Sequence, residues 1–206
     1  PCVEYFRRGS AASHLSVADV STALLGARHL HATGIPAALS LSARELSWQL
    51  MTAMREAGRS VSFDPNLRPS LWSNQAQMIS EINRLAALAH WVMPGLAEGA
   101  LLTGYEDPDD MAAFYLDQGV EAVVIKLGAK GAYYRTQLDQ GFIAGVPVAN
   151  VVDTVGAGDG FAVGVISALL ENQGFAHAVA RGNWIGSRAV QNRGDMEGLP
   201  LRAQLL

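Results

Sequence analysis

The chain has 206 residues, half of them hydrophobic, a formal net charge of −4 and one cysteine, Cys2. This length supports one sizeable core and is short for two ordinary domains, so residues 1–206 are expected to form a single domain. The mildly acidic balance gives no electrostatic reason to expect nucleic acid or an anionic membrane as a partner. No apolar run approaches the roughly 20 residues of a membrane span, and one cysteine excludes an internal disulfide. A cytoplasmic location is therefore expected.

Apolar residues alternate between a helical period and short strand-like runs along the chain. The runs with helical period predict helices at residues 16–25, 42–57, 74–88, 98–103, 109–118, 158–170 and 175–190. The short apolar runs predict strands at residues 28–33, 60–64, 91–94 and 120–127, and a hairpin of residues 132–136 and 141–146. In the second helix, Ser42 and Glu45 have the spacing of a capping box, and Gly58 is the expected stop. This alternation predicts an α/β fold: a mostly parallel sheet with helices on both faces.

The glycine-rich run at residues 153–159 follows an apolar stretch and leads into an apolar helix. Glycines allow close approach of backbone to a ligand, and a helix N-terminus presents N–H groups and a partial positive charge to an anion. Asp159 stands in that positive region, where its carboxylate is stabilised and ready to accept a hydroxyl proton. This pairing suits phosphoryl transfer, in which a protein mainly positions groups and neutralises charge. A helix-capping turn remains the alternative for Gly-Ala-Gly taken alone.

The full run Asp-Thr-Val-Gly-Ala-Gly-Asp-Gly-Phe, residues 153–161, closely resembles the C-terminal signature of the ribokinase/PfkB family of carbohydrate kinases. The resemblance implies a ribokinase-like three-layer α/β/α fold, with ATP and Mg²⁺ as cofactors and a small sugar as substrate. It implies that Gly156, Ala157 and Gly158 form the anion hole and that Asp159 is the catalytic base.

The resemblance extends over essentially the whole chain but leaves out the family's N-terminal portion. That portion carries a Gly-Gly substrate motif and a small β-lid that often makes the dimer contact. We therefore expect that a segment before Pro1 is missing, that the β-lid is largely absent from this chain, and that the protein is a homo-oligomer when the lid is present.

The same resemblance implies a nucleotide-binding role for further motifs. Residues 126–131 match the family's Lys-x-Gly-x-x-Gly, which lines the ATP phosphates and ribose, and residues 64–68 match its Asp-x-Asn-x-Arg, which faces ATP and the phosphoryl acceptor. An ordinary turn and a solvated arginine are the alternatives. The helix that carries Asn183 lies where the family packs a helix against adenine. The residues expected to bind ATP are Asn66, Arg68, Lys126, Leu127, Gly128, Gly131 and Asn183.

One motif departs from the family pattern. Many members have Asn-x-x-Glu, which helps to organise magnesium and phosphate, where this chain has Gly95 and Glu98. Glu98 keeps an indirect magnesium role as a hypothesis, and a helix-start glutamate is the alternative.

The first residues bear on the phosphoryl acceptor. Tyr5 and Arg7 match a tyrosine and an arginine with which 2-keto-3-deoxygluconate kinases of this family bind their sugar acid. A carboxylate-bearing acceptor favours a guanidinium partner, so a sugar acid is the leading substrate. Asp195, Asp159 and Arg68 are the other expected substrate contacts. A fructokinase- or ribokinase-type enzyme and a non-catalytic nucleotide-binding relative remain as alternatives.

Overall fold

A computed structural model describes residues 7, 9–20 and 26–205, and its centre is a six-stranded sheet in which the strands follow chain order. The strands are β1 His29–Thr33, β2 Ser60–Asp64, β3 Trp91–Val92, β4 Ala122–Lys126, β5 Gly131–Thr136 and β6 Gln140–Ala144. The helices are α1 Gly34–Leu39, α2 Leu41–Glu56, α3 Gln75–Ala86, α4 Leu96–Thr103, α5 Pro108–Leu116, α6 Ala157–Leu170 and α7 Phe175–Ala189.

Strands β1 to β4 are parallel, and β4, β5 and β6 pair antiparallel. The carboxyl ends of the four parallel strands therefore lie at one edge of the sheet, where α/β proteins of this kind bind ligands. The predicted mostly parallel sheet and the predicted hairpin are both confirmed.

Alternate side chains of β4 enter two separate hydrophobic cores. Val123 and Ile125 join the core beneath α2, α3 and α5, and Val124 joins the core beneath α6 and α7. A strand buried on both faces has no polar alternation, which is why Ala122, Val123, Val124 and Ile125 of β4 form an uninterrupted apolar run. The two cores establish the predicted helix layers on both faces of the sheet.

The backbones of helices α6 and α7 approach each other closely at one point. A β-carbon added to Gly164 would lie 2.7 Å from the Cα of Gly182, so both positions need glycine for the helices to touch. This contact fixes the axis of α6, and with it the glycine-rich run at its start. Within the described part of the chain, none of the helices combines the length and apolarity of a membrane span.

The start of α2 differs from the prediction. Ser40, not Ser42, is the N-cap: it is extended, with φ −162°, and its Oγ accepts a hydrogen bond from Ala43 N at 3.1 Å. Ser42 is already helical, so the predicted capping pair with Glu45 is wrong. Two serines two residues apart both fit the capping pattern, and the extended conformation of Ser40 decides between them.

The predicted helix over residues 16–25 is also wrong in its described part. Only a 3₁₀ turn, Val17–Asp19, forms there, and Val20 is extended at its end. The short helix α1 was not predicted, because glycine and proline open it. It forms where the chain passes residue 65, and a β-carbon at Gly34 would lie 2.2 Å from Pro65 O. The other predicted helices and strands are present, with ends shifted by at most two residues.

Candidate active site

A cleft of about 420 Å³ opens between the loop after β4, the segment after β6, the start of α6 and one face of α7. Its volume falls within the range of roughly 300–1,000 Å³ that is usual for small-molecule sites. Lys126, Gly158 and Asn183, from three of the predicted motifs, line it together.

The glycine-rich run forms the N-terminus of α6 at one end of this cleft. Gly156 is the N-cap in the left-handed conformation, with φ 75°, and α6 begins at Ala157. Ala157 and Gly158 line the cleft. Ala157 N–H donates to Thr154 O at 3.4 Å, and the next N–H groups of the first turn, at Gly158 and Asp159, have no carbonyl partner within α6 itself. A helix start of this kind binds anions, phosphate above all.

Asp159 stands in the same first turn, and its side chain is exposed. It is therefore accessible to a substrate beside the helix start that would hold the anion. The Asp159 carboxylate also acts electrostatically on His31 of β1. Burial lowers the pKa of His31, the Lys126 ammonium lowers it further, and the Asp159 carboxylate raises it.

Lys126, at the end of β4, forms an ion pair with Asp64 at the end of β2. The distance from Lys126 Nζ to Asp64 Oδ2 is 2.5 Å, and the two side chains are 18% and 4% exposed. Burial raises the pKa of Asp64, and the adjacent ammonium opposes that rise. The same Nζ would lie 3.8 Å from a β-carbon at Gly158, so the ammonium sits beside the first turn of α6.

Glu98 ties the loop after β2 to the start of α4. Its Oε1 accepts a hydrogen bond from Leu67 N at 2.7 Å, and its Oε2 accepts one from Gly95 N at 2.9 Å. Asn66 enters this loop with φ 41°, and its N–H donates to Asp64 Oδ1 at 3.2 Å. Glu98 therefore acts on the backbone that carries Asn66 and Arg68. The described residues include no group of three His, Cys, Asp or Glu side chains that would hold a metal ion.

Asn183 lines the cleft but is also part of the scaffold. Its Nδ2 donates to Ile143 O at 3.0 Å and to Ala144 O at 3.1 Å, which uses both amide protons. Asn183 thus ties α7 to β6, and the side-chain oxygen is the polar atom that it retains for a ligand.

The predicted residues of the loop after β4 divide into two sets. Gly128 and Gly131 line the cleft with Lys126, whereas Leu127 is not among its lining residues. The Leu127 side chain packs against the core beneath α2, α3 and α5. This side chain faces the opposite side of the sheet from Lys126, and the contact of Leu127 with ATP stays a prediction.

The remaining predicted contacts lie around the cleft or outside the described residues. Asp195, in the loop after α7, is in backbone contact with Gly156. Asn66 and Arg68 lie in the Glu98-anchored loop and do not line the cleft itself. Tyr5 lies outside the described residues, so the Tyr5 and Arg7 pair stays a prediction.

Sequence reasoning missed the apolar wall of the cleft. Phe161 of α6, Val190 after α7 and the run Val146, Pro147 and Val148 after β6 all line it. The Val-Pro-Val run was the available signal, because a hairpin strand that is followed by exposed apolar residues needs a partner for them.

A separate polar cluster lies on β1 and β2. His29 forms two hydrogen bonds, from Nδ1 to Ser60 Oγ at 2.8 Å and from Nε2 to Ser62 Oγ at 2.9 Å, in which either atom of each pair can be the donor. His31 Nδ1 lies 2.8 Å from the same Ser62 Oγ. The His29 ring stacks on Trp91 at 5.1 Å. Burial, with smaller effects from His31 and His90, lowers the pKa of His29 to about 4.

A parallel sheet whose strand ends surround a glycine-rich helix start is typical of nucleotide-binding α/β proteins. The chain belongs to the pfkB family of carbohydrate kinases, whose model matches residues 4–202. The predicted family and the ribokinase-like fold are thereby confirmed.

Three relatives show the extent of the similarity. The chain is 52% identical over its whole length to 2-dehydro-3-deoxygluconokinase of Bacillus subtilis (strain 168), of which it spans 64%. A crystal structure of a PfkB protein from Polaromonas sp. JS666 is 54% identical, with a TM-score of 0.89, over 98% of this chain and 65% of that one. A fructokinase from Vibrio cholerae O395, solved with fructose, ADP and calcium ion, is 31% identical, with a TM-score of 0.86, over 95% of this chain and 65% of that one. The chain therefore spans slightly less than two thirds of each of these relatives.

Proposed function

We propose that this chain is the nucleotide-binding part of an ATP-dependent sugar-acid kinase, which transfers the γ-phosphoryl group to a primary hydroxyl of 2-keto-3-deoxygluconate. The observation that carries the proposal is the convergence of the Lys126 ammonium and the first turn of α6 on one cleft, with Asp159 in that same turn. The 52% identity to a 2-dehydro-3-deoxygluconokinase supports the choice of acceptor.

The cleft fits the nucleotide that the family implies. The phosphate end of ATP needs cationic and N–H donors, which Lys126 and the α6 start supply. The base end needs apolar surface, which Phe161 and the Val146–Val148 segment supply. Asn183 adds one side-chain oxygen. ATP supplies the phosphoryl group, and the neighbouring residues hold it in place.

The protein's part in the reaction follows from these positions. The N–H groups of the α6 start and the Lys126 ammonium stabilise negative charge that develops on the phosphoryl oxygens. Asp159 accepts the proton of the acceptor hydroxyl as it attacks. Glu98 keeps the Asn66–Arg68 loop in place, and Arg68, Asp195, Tyr5 and Arg7 are proposed to contact the acceptor.

In this proposal, magnesium binds together with the nucleotide, as a complex with its phosphates. Mg²⁺ in such sites is bound by phosphates and water with one or two carboxylates. Both Glu98 oxygens already accept backbone N–H groups, which supports an indirect role of Glu98 towards the ion, through water.

The test is a coupled assay of ADP release with a panel of acceptors, run on the complete product of the gene. We expect turnover with 2-keto-3-deoxygluconate and little with fructose or ribose. Turnover of neutral sugars without turnover of keto-deoxy acids would overturn the acceptor assignment and favour the fructokinase- or ribokinase-type alternative. Tight ATP binding with no turnover on any acceptor would favour the non-catalytic relative.

A further inference from the structure

We propose that Asp64 is a positioning residue that holds the Lys126 ammonium beside the first turn of α6, so that the ion pair, rather than the lysine alone, determines how strongly the cleft binds terminal phosphates. This inference rests on the proposed function, which it deepens. It assigns a role to a buried carboxylate that neither the cleft lining nor the Asp159 chemistry uses.

The first support is the geometry of the strand ends. Asp64 and Lys126 end β2 and β4, which are separated in the sheet by β3. The Lys126 side chain therefore spans the end of β3 to reach Asp64, at 2.5 Å. A lysine side chain has four flexible methylene groups, and a carboxylate on one side restricts it to the orientation that brings Nζ to Gly158.

The second support is electrostatic. A cation beside a helix N-terminus meets the positive end of the helix dipole, which opposes its placement there. A buried carboxylate offsets that repulsion, and Asp64 is only 4% exposed at the side chain. The arrangement keeps a positive group ready at the anion site before any phosphate enters, which avoids reorganisation when charge develops.

The third support is the second contact of Asp64. Its Oδ1 accepts a hydrogen bond from Asn66 N at 3.2 Å, so the two carboxylate oxygens hold Lys126 on one side and the Asn66 backbone on the other. One buried group therefore orients both the lysine and the start of the loop that carries Arg68. Removing its charge is expected to loosen Lys126 while the loop keeps its Glu98 contact.

The test compares ATP and AMP affinities by calorimetry, without an acceptor, in the wild type, Asp64→Asn, Lys126→Met and the double variant. The ratio of the two affinities reports on terminal phosphates, and a purely structural role for the pair would not change it. We expect the ratio to fall by about 5-fold or more in each single variant and no further in the double variant, because the two side chains act as one unit. Asp109→Asn, which breaks the remote Arg135–Asp109 ion pair of 2.9 Å, serves as the matched control and should leave the ratio unchanged.

Folding is controlled within the same set. If Asp64→Asn alone leaves Lys126 unpaired and fails to fold, the double variant removes both charges, a replacement that proteins often tolerate. A double variant that folds and keeps the wild-type ratio would overturn the proposal, and so would a wild-type ratio in folded Asp64→Asn.

The outcome is independent of the acceptor. A wild type that binds ATP more tightly than AMP but phosphorylates no acceptor would refute the proposed function and leave this test intact. Wild-type protein that binds neither nucleotide would overturn both proposals. Where turnover is observed, Asp64→Asn should lower kcat by about 10-fold or more while the KM of the acceptor changes little, since the loop that carries Arg68 keeps its Glu98 contact.

Discussion

The N-cap of α6 and the loop after α7 are in backbone contact: a β-carbon at Gly156 would lie 2.7 Å from the Cα of Asp195 and 2.8 Å from its carbonyl oxygen. The glycine at this position therefore serves two purposes. It adopts φ 75°, which L side chains avoid, and it leaves room for Asp195 beside the proposed anion hole.

Gly156→Ala should destabilise the fold because it adds both backbone strain and a steric clash. The left-handed conformation costs roughly 1–2 kcal/mol for a residue with a β-carbon, and overpacking typically adds about 1–3 kcal/mol. Gly119→Ala is the matched control, since Gly119 has φ 87° but nothing within 4 Å of an added β-carbon. Urea denaturation should show the larger loss for Gly156→Ala; equal losses would mean that the Asp195 contact contributes nothing.

Asn183→Ala should also lower stability, because it removes the side-chain donor that α7 supplies to two carbonyl oxygens of β6. We expect about 1–3 kcal/mol, from two hydrogen bonds of roughly 0.5–1.5 kcal/mol each. Gln191→Ala, which removes a single bond to Ser187 O from an exposed residue at the end of α7, is the control. A loss for Asn183→Ala no greater than that control would show that the α7 to β6 connection is held by packing alone.

Glu98→Gln tests whether this residue organises backbone or metal. A glutamine amide places a donor against one of the two N–H groups that the carboxylate accepts, so we expect a loss of about 1–3 kcal/mol in the absence of nucleotide and metal. Hydrogen exchange should show faster exchange at Leu67 and Gly95. A variant with unchanged stability and exchange, but an increased requirement for Mg²⁺ in turnover, would assign Glu98 to the metal instead.

The histidine cluster should make stability dependent on pH on the acidic side of neutrality. Because the pKa of His29 is about 4 in the folded state and 6.5 in model compounds, the unfolded chain takes up a proton that folded His29 does not. Stability is therefore full above about pH 6.5 and falls as the pH drops towards 4. The pKa values of His31 and His90 are lowered as well and act in the same direction.

The measurement is the urea midpoint from pH 7.5 to pH 4.5 for the wild type and His29→Gln. Glutamine cannot take up the proton, so the variant should show a shallower loss of stability over this range. Identical pH profiles for the two proteins would contradict the assigned state of His29.

Long apolar runs made most of the fold predictable. The strands Ser60–Asp64 and Ala122–Lys126 follow from pattern alone, since burial on both faces determines which residues they contain. Local choices were harder. Ser40 and Ser42 are equivalent as capping residues until the backbone at Ser40 is known to be extended. The close approach of Gly34, at the start of α1, to Pro65 has no local signal in the sequence either.

The candidate site was predictable where function depends on backbone and unpredictable where it depends on pairing across the sheet. The glycine run at residues 156–158 carries its own signal. The Lys126–Asp64 ion pair joins residues 62 positions apart, and nothing local to either residue indicates it. Leu127 lies inside a functional motif, yet its side chain faces a core, and the motif alone does not indicate that orientation.

The most direct test of phosphoryl transfer at the α6 start is the kcat of Asp159→Asn, measured together with its affinity for ATP. The substitution keeps the size of the side chain and removes the proton acceptor, so kcat should fall by about 10²–10⁴-fold while ATP affinity is retained. Asp110→Asn, an exposed carboxylate in the first turn of α5, should leave kcat unchanged. An Asp159→Asn protein that is folded, binds ATP and keeps the wild-type kcat would contradict the assignment of Asp159 as the base.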